Sequence, residues 1–179
     1  MQVVTSPRLA LLPEEPAGLI PTRTPGAIGF EATLAWQSPE EAVRTAICPA
    51  LPRSVKARIC ETDGPGEIRR ISGELRAFAE RDLEHCLDSV LRTLTSTAAV
   101  SEAVLEIRSV RVARPRAVPR GALERLARGL WEAGLGVRFG PGCTPLYDGA
   151  EVAVGIRGAE AAYERLRDRG SWEIVSRPL

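Results

Sequence analysis

The chain has 179 residues, of which 44% are hydrophobic and 26% charged, and these proportions are ordinary for a globular protein. No apolar run approaches the roughly 18 residues of a membrane-spanning helix, and the first residues lack a basic region followed by a long apolar stretch, so we expect a cytoplasmic protein without membrane contact. The net charge of +1 excludes a polycation, although the excess of arginine lies in the second half, where residues 101–179 hold thirteen Arg against ten acids.

Four cysteines and one histidine limit the metal and redox chemistry open to the chain. Cys48, Cys60, Cys86 and Cys143 include no pair with the C-x-x-C spacing of zinc ligands, and His85 is the only histidine. We therefore expect no metal site, no cofactor and free, mostly buried thiols. A disulfide between Cys48 and Cys60 is the alternative if the host is a hyperthermophile.

The first half of the chain predicts an N-terminal arm followed by a β-α-β-β-α series. Five prolines in residues 1–27 predict an extended arm or partly ordered tail. A strand over 28–36 precedes a helix that begins at Ser38-Pro39-Glu40-Glu41, where an N-cap, a first-turn proline and a capping box coincide. Further strands are predicted over 55–60 and 67–71.

Residues 75–94 predict a long helix, capped near Ser72, with an unusually wide apolar surface. At 100° per residue its apolar side chains cover an arc of roughly 160°, and Phe78 widens this arc to about 220°, whereas about 100° would cover a core. Either the helix is buried on most of its sides, or one flank binds another chain.

The second half of the chain predicts a β-α-β-β-α-β series. Its elements are strands over 102–112, 136–139, 151–156 and 171–177, and helices over 121–133 and 159–169. The predicted fold class is α+β, with two β-α-β-β-α type halves, helices packed on one face of antiparallel sheet, and a ferredoxin-like second half. The predicted divisions are an arm (1–27), a first unit (28–100) and a second unit (101–179).

Two features of the first half make residues 28–98 resemble a known family. These are the helix start at Ser38 and the segment Leu83-Glu-His-Cys-Leu87-Asp-Ser89 in the long helix, within a β-α-β-β-α order. They resemble the CTAG/Pcc family, the small dimerisation subunit of the KEOPS complex. The resemblance implies a non-catalytic scaffold of tRNA threonylcarbamoyl-adenosine modification, which forms a homodimer and docks its helices on a catalytic subunit.

The resemblance also implies which residues of the long helix contact a partner. One flank would cover the sheet, and the other, with Phe78 and Arg81, would face the partner chain as in helix-on-helix packing. The flank that covers the sheet consists of Leu83, Leu87, Val90 and Leu94. The predicted partner-binding residues are Phe78, Arg81, Leu83, Leu87, Val90 and Leu94. Simple burial of the whole helix is the competing interpretation.

A cluster of arginines in the second half suggests contact with RNA phosphate. Five of the thirteen residues from 108 to 120 are arginine and none is acidic, and in an extended chain part of this row would point to one side. The predicted RNA-binding residues are Arg108, Arg111, Arg114, Arg116 and Arg120. A solvated strand edge is the alternative. Aromatic residues are scarce, so contact with the phosphate backbone is favoured over base stacking.

The segment 138–151, RFGPGCTPLYDGAE, predicts a long Gly/Pro loop. No helix follows it directly, so it is not a phosphate-binding loop of the Walker type, and it is either a hairpin connection or the lining of a pocket that includes Tyr147 or Asp148. No catalytic residues stand out in the chain, which favours a non-enzyme. A small enzyme or ligand-binding protein with a pocket at this loop, and a stand-alone RNA-binding protein, remain alternatives to the scaffold.

Overall fold

The computed structural model describes residues 7–36, 54–64, 68–146, 149–163 and 172–175. The chain forms two compact units, one built from residues 26–112 and the other from residues 1–25 together with 113–179. We call the first the inserted unit, because it interrupts the sequence of the second, which we call the flanking unit. These divisions differ from the predicted boundaries after residues 27 and 100.

The described elements are ten strands and two helices, in agreement with the predicted α+β class. In chain order they are β1 (Arg8–Pro16), β2 (Leu19–Thr24), β3 (Gly26–Ala35), β4 (Lys56–Asp63), β5 (Ile68–Ala77), α1 (Glu80–Val100), β6 (Val104–Ala113), β7 (Arg116–Ala117), α2 (Arg120–Glu132), β8 (Arg138–Pro141), β9 (Val152–Arg157) and β10 (Glu173–Val175). The helix predicted from Ser38 and most of the helix predicted over 159–169 lie outside the described residues.

The inserted unit is a four-stranded sheet in the order β4-β5-β3-β6, with α1 on one face. β5 runs antiparallel to both β3 and β4. Alternate residues of β3 are buried, so that Ile28, Phe30 and Leu34 face the helix. From α1, the side chains buried against them recur every three or four positions: Leu83, Cys86, Val90, Leu94 and Ala98.

The predicted start of the long helix is wrong, because β5 continues to Ala77 and α1 begins only at Glu80. β5 is hydrogen-bonded on both sides over most of its length, and Leu75 is buried as a strand residue. Pairing with two neighbouring strands outweighs the helical pattern that the local sequence suggests. Without Leu75 and Phe78, the apolar arc of the helix narrows to about 140°, from Cys86 to Leu91.

The flanking unit contains two small sheets. β1 lies between β9 and β10 and is parallel to both, whereas β2 lies between β7, which is antiparallel, and β8, which is parallel. Leu9, Ile20, Leu126, Leu130 and Val152 form much of its core. Two helices were predicted here, and α2 lies within one residue of its predicted position at each end.

Residues 8–24 are therefore central strands, and the prediction of an arm does not hold for them. Prolines suggested an arm because they cannot donate a ladder hydrogen bond. Here Pro16 and Pro21 stand at shifts in register, between Leu12 and Pro16 in β1 and between Pro21 and Arg23 in β2. A missing N–H costs little at such an irregularity. No helix in the described part of the chain combines the length and the apolar character needed to cross a membrane.

Candidate functional site

The sheet of the inserted unit has a polar face on the side away from α1. Strand register places three rows of side chains side by side across β4, β5 and β3 on this face. These three successive rows are Arg58–Glu74–Gly29, Cys60–Ser72–Glu31 and Thr62–Arg70–Thr33, and the row Lys56–Arg76–Ala27 precedes the first of them. Successive side chains of a strand point to opposite faces, so these residues share the face away from α1, and β4 is exposed over nearly all of its length.

Two adjoining grooves, each of about 440 Å³, lie on the polar face. The first groove includes Gly29, Arg58, Cys60, Glu74 and Val110, and the second includes Thr33, Thr62, Arg70 and Glu106. Both grooves share Glu31, Ser72 and Arg108. The two grooves are therefore continuous across the sheet.

Small side chains provide the space for the first groove. A methyl group added at Gly29 would lie 3.6 Å from Val112 Cγ2, which is an ordinary van der Waals distance. A side chain would therefore fit at this position, and the space is open because glycine has none. Ser72, on the neighbouring strand, is also small and exposed. The small residues therefore form the bottom of the groove, and the longer charged side chains form its walls.

Two arginines at opposite edges of the sheet line the first groove. Arg58 lies on β4 and Arg108 on β6, and three strand spacings separate these edge strands by about 14 Å. Among the described residues, no carboxylate pairs with either guanidinium, whereas Glu74 in the same groove is paired with Arg76. A guanidinium binds carboxylate or phosphate through two parallel hydrogen bonds, so the two side chains can converge on an anion.

The described residues offer no metal site. No group of three or more His, Cys, Asp or Glu side chains lies close enough to hold an ion in this part of the chain. Cys60 and Cys143 are exposed and Cys86 is buried, and none of these three described cysteines forms a disulfide. Cys48 lies outside the described residues, so the predicted alternative of a Cys48–Cys60 disulfide stays a prediction.

We expect the thiol of Cys86 to resist alkylation in the folded protein. Burial, and secondarily the charge of Asp82, raises the pKa of Cys86, and the side chain has no exposed surface. The thiolate is the reactive species, so both effects slow the reaction. Iodoacetamide labelling followed by peptide mass spectrometry should modify Cys60 and Cys143 while leaving Cys86 intact until urea is added. Labelling of all three at similar rates would contradict this packing.

The predicted partner-binding residues of the long helix belong mostly to the core of the inserted unit. Leu83, Val90 and Leu94 are buried there, and Leu87 is half-buried against them. Phe78, which precedes α1, is 41% exposed, and Arg81 is exposed. Only these last two side chains are accessible to a second chain, so the described helix offers no broad apolar flank.

The structure distributes the five predicted RNA-binding arginines over several elements. Arg108 lines the grooves, whereas Arg111 pairs with Glu80 and lies 3.6 Å from Glu84 at the start of α1. The other three lie beyond residue 112: Arg114 is exposed, Arg116 donates to the carbonyl of Ala150, and Arg120 lies 2.7 Å from Glu124. Three of the five therefore already have protein acceptors.

The loop predicted over 138–151 is packed into the flanking unit in its described part. The buried carboxylate of Glu15 accepts hydrogen bonds from the backbone N–H groups of Cys143 and Thr144, the second at 2.7 Å. Thr144 and Leu146 are buried. Tyr147 and Asp148, the predicted pocket residues, lie outside the described residues.

Sequence reasoning singled out Arg108 but missed the residues of β4 and β5 that line the grooves. Arg58, Cys60 and Thr62 alternate along β4, and Arg70, Ser72 and Glu74 alternate along β5. A polar residue at every second position is the pattern expected of the polar face of a strand, and it can be seen in the sequence. For β5 it was hidden, because part of that strand was assigned to the long helix.

Comparison with known proteins gives structural relatives only. No family model matches the chain, and no curated protein matches its sequence. The aminopeptidase PepT from Bacillus cereus matches at 13% identity with a TM-score of 0.56, over 86% of this chain and 50% of that one. An amidase of the hydantoinase/carbamoylase family from Burkholderia vietnamiensis matches at 12% identity with a TM-score of 0.59, over 83% of this chain and 46% of that one.

A third similar structure is AtUAH in complex with glyoxylate, at 11% identity and a TM-score of 0.59, over 83% of this chain and 44% of that one. The likeness lies in the fold alone. The chain spans about half the length of these proteins.

The resemblance to the KEOPS small subunit is wrong, and with it the non-catalytic scaffold of tRNA modification. The structures similar to this chain include an aminopeptidase and an amidase of the hydantoinase/carbamoylase family, and the likeness covers more than four-fifths of the chain rather than residues 28–98 alone. The motif residues Leu83 and Leu87 pack against the sheet of their own unit. Such packing patterns recur wherever a helix covers a sheet, so they do not identify a family.

Proposed function

We propose that this chain binds small carboxylate ligands in the first groove, as the ligand-binding part of a protein with the peptidase and amidase-type fold. The observation that carries the proposal is the pair Arg58 and Arg108. Both line one groove above the small residues Gly29 and Ser72, and neither has an acidic partner among the described residues. Charge-assisted hydrogen bonds from two guanidinium groups would hold a carboxylate there.

The structural comparisons support a carboxylate rather than another anion. AtUAH is described in complex with glyoxylate, which is a small carboxylate, and PepT is an aminopeptidase. Ligands with a free carboxylate are thus associated with this fold in the proteins named. The proposal assigns ligand binding to the groove and no catalytic step to any described residue.

The groove is a better candidate than the predicted pocket at the loop over 138–151. The described part of that loop is held against β1 by Glu15, with Thr144 and Leu146 buried. The arginines at the first groove, in contrast, extend from edge strands at an accessible surface. The small enzyme or ligand-binding protein is therefore retained as a function class, with its site moved to the inserted unit.

Removal of either arginine should weaken carboxylate binding. In isothermal titration calorimetry with glyoxylate and N-acetylglycine, we expect Arg58→Gln and Arg108→Gln each to lower affinity about tenfold or more, because each loses a charge-assisted hydrogen-bonding group. Arg92→Gln is the matched control, since Arg92 is exposed on α1 in the same unit. Absence of binding by the unaltered chain, or equal affinity in all variants, would refute the proposal.

Two further proposals concern the location of the protein in the cell and its association with another chain. We propose a cytoplasmic location, and self-association or a protein partner at Phe78 and Arg81, the accessible members of the predicted set. Analytical ultracentrifugation of the chain and of Phe78→Ser measures the self-association. A monomer at all concentrations would exclude the homodimer.

A further inference from the structure

The second groove extends the first along the strands of the polar face. Residues 74 and 70 of β5 lie in the first and the third row, and four strand residues separate these rows by about 13 Å. Arg108 and Ser72 line both grooves. A ligand longer than a single carboxylate group can therefore pass from one groove into the other without leaving the sheet.

The far end of the second groove has the donors of an oxyanion site. Arg70 lies between Thr62 on β4 and Thr33 on β3, so a guanidinium is flanked by two hydroxyl groups in a single row. No described carboxylate pairs with Arg70, and the side chain is exposed. Guanidinium and hydroxyl groups can all donate hydrogen bonds to one carboxylate.

The middle row, Cys60–Ser72–Glu31, contains a carboxylate and no guanidinium group. Glu31 lies in both grooves beside Ser72, and a carboxylate there repels an anion and accepts hydrogen bonds from N–H groups. Together with Glu74 and Glu106, it makes the face unsuitable for a continuous polyanion such as RNA. Glu74 lies in the same row as Arg58, and Glu106 lines the second groove together with Arg70, so positive and negative side chains are interspersed over the face.

We propose that the ligand is an elongated dianion. One carboxylate binds at Arg58 and Arg108, a second binds at Arg70 between its threonines, and an amide or amine N–H between the two faces Glu31. The acid groups of this ligand lie on the order of 10 Å apart, since the arginine side chains reach inward from rows about 13 Å apart. The inference rests on the proposed function, because it uses the carboxylate site of the first groove and adds a second.

A matched pair of ligands tests the second site. N-succinyl-glycylglycine has a carboxylate at each end of a chain with two amide groups, and N-butanoyl-glycylglycine has the same skeleton with a methyl group at one end. We expect the unaltered chain to bind the dianion about tenfold or more tightly than the monoanion in isothermal titration calorimetry. In Arg70→Gln this preference should fall to about twofold or less, whereas Arg92→Gln should keep it.

The outcomes separate the two proposals. Equal affinity for both ligands, with binding lost in Arg58→Gln and unaffected in Arg70→Gln, would overturn the dianion and leave the carboxylate site standing. No binding of either ligand would overturn both. Circular dichroism spectra of the variants establish that each is folded, and the exposure of Arg70 makes loss of the fold an unexpected result.

Discussion

Replacing Gly155 by alanine should destabilise the flanking unit more than any other single methyl addition that we consider. A Cβ at this position would lie 2.1 Å from the carbonyl oxygen of Pro16 and 2.9 Å from Cβ of Glu15. The obstacle is backbone rather than a flexible side chain, so β1 and β9 must move apart. The carbonyl of Gly155 also accepts a hydrogen bond from Gly18 N at 2.9 Å, and this bond is lost with the movement.

We expect Gly155→Ala to lower the free energy of unfolding by about 3 kcal/mol or more, the range of severe overpacking. Thermal denaturation followed by circular dichroism should show a fall in Tm of roughly 10 °C. Gly136→Ala is the control, since a methyl group there meets nothing within 4 Å, and it should change stability by about 0.5 kcal/mol or less. Equal Tm values for the two variants would show that β1 and β9 are not packed as described.

Removing the carboxylate of Glu15 should release the loop that follows β8. Glu15 is 2% exposed, and its Oε1 accepts both backbone N–H groups of Cys143 and Thr144. In Glu15→Ala these two donors lose their acceptor in a buried setting, which costs about 1–3 kcal/mol for each unsatisfied group. We expect a loss of about 3 kcal/mol in urea denaturation, together with faster proteolytic cleavage within residues 142–146.

Glu15→Gln distinguishes the lost hydrogen bonds from lost packing. The amide keeps the shape of the side chain and one carbonyl oxygen, so it can accept the same two bonds without a charge. We expect it to lose about half as much stability as Glu15→Ala or less. If Glu15→Ala were as stable and as resistant to protease as the unaltered chain, the loop would not depend on this carboxylate.

The two helices that contain Leu83 and Leu126 show where local sequence is a sufficient guide. Buried residues recur every three or four positions in α1 and in α2, and the same period is visible in the printed sequence. The helix α2 was therefore predicted to within one residue at each end. Most strands, where alternation is clear, were also predicted to within a few residues.

The residues from Ser72 to Ala77 show where local sequence fails. Their pattern suits the start of a helix, yet Ser72 pairs with Glu31 on one side and Cys60 on the other. Strand pairing joins residues more than ten positions apart in the chain, and no local window contains that information. The error moved the polar side chains of β5 into a helix, and it concealed the face on which Arg70 lies.

The spacing of apolar residues was enough to predict the α+β class, the helix α2 and the sheet-facing residues of α1, because this spacing is a local property of the chain. Tertiary structure alone decided that residues 8–24 are central strands, that residues 26–112 form an inserted unit, and that Arg58 and Arg108 line one groove. The physical reason is the same in each case. The partner of a strand, and the side chains that meet across a sheet, depend on contacts between distant parts of the chain, whose free energy is realised only when the whole unit has folded.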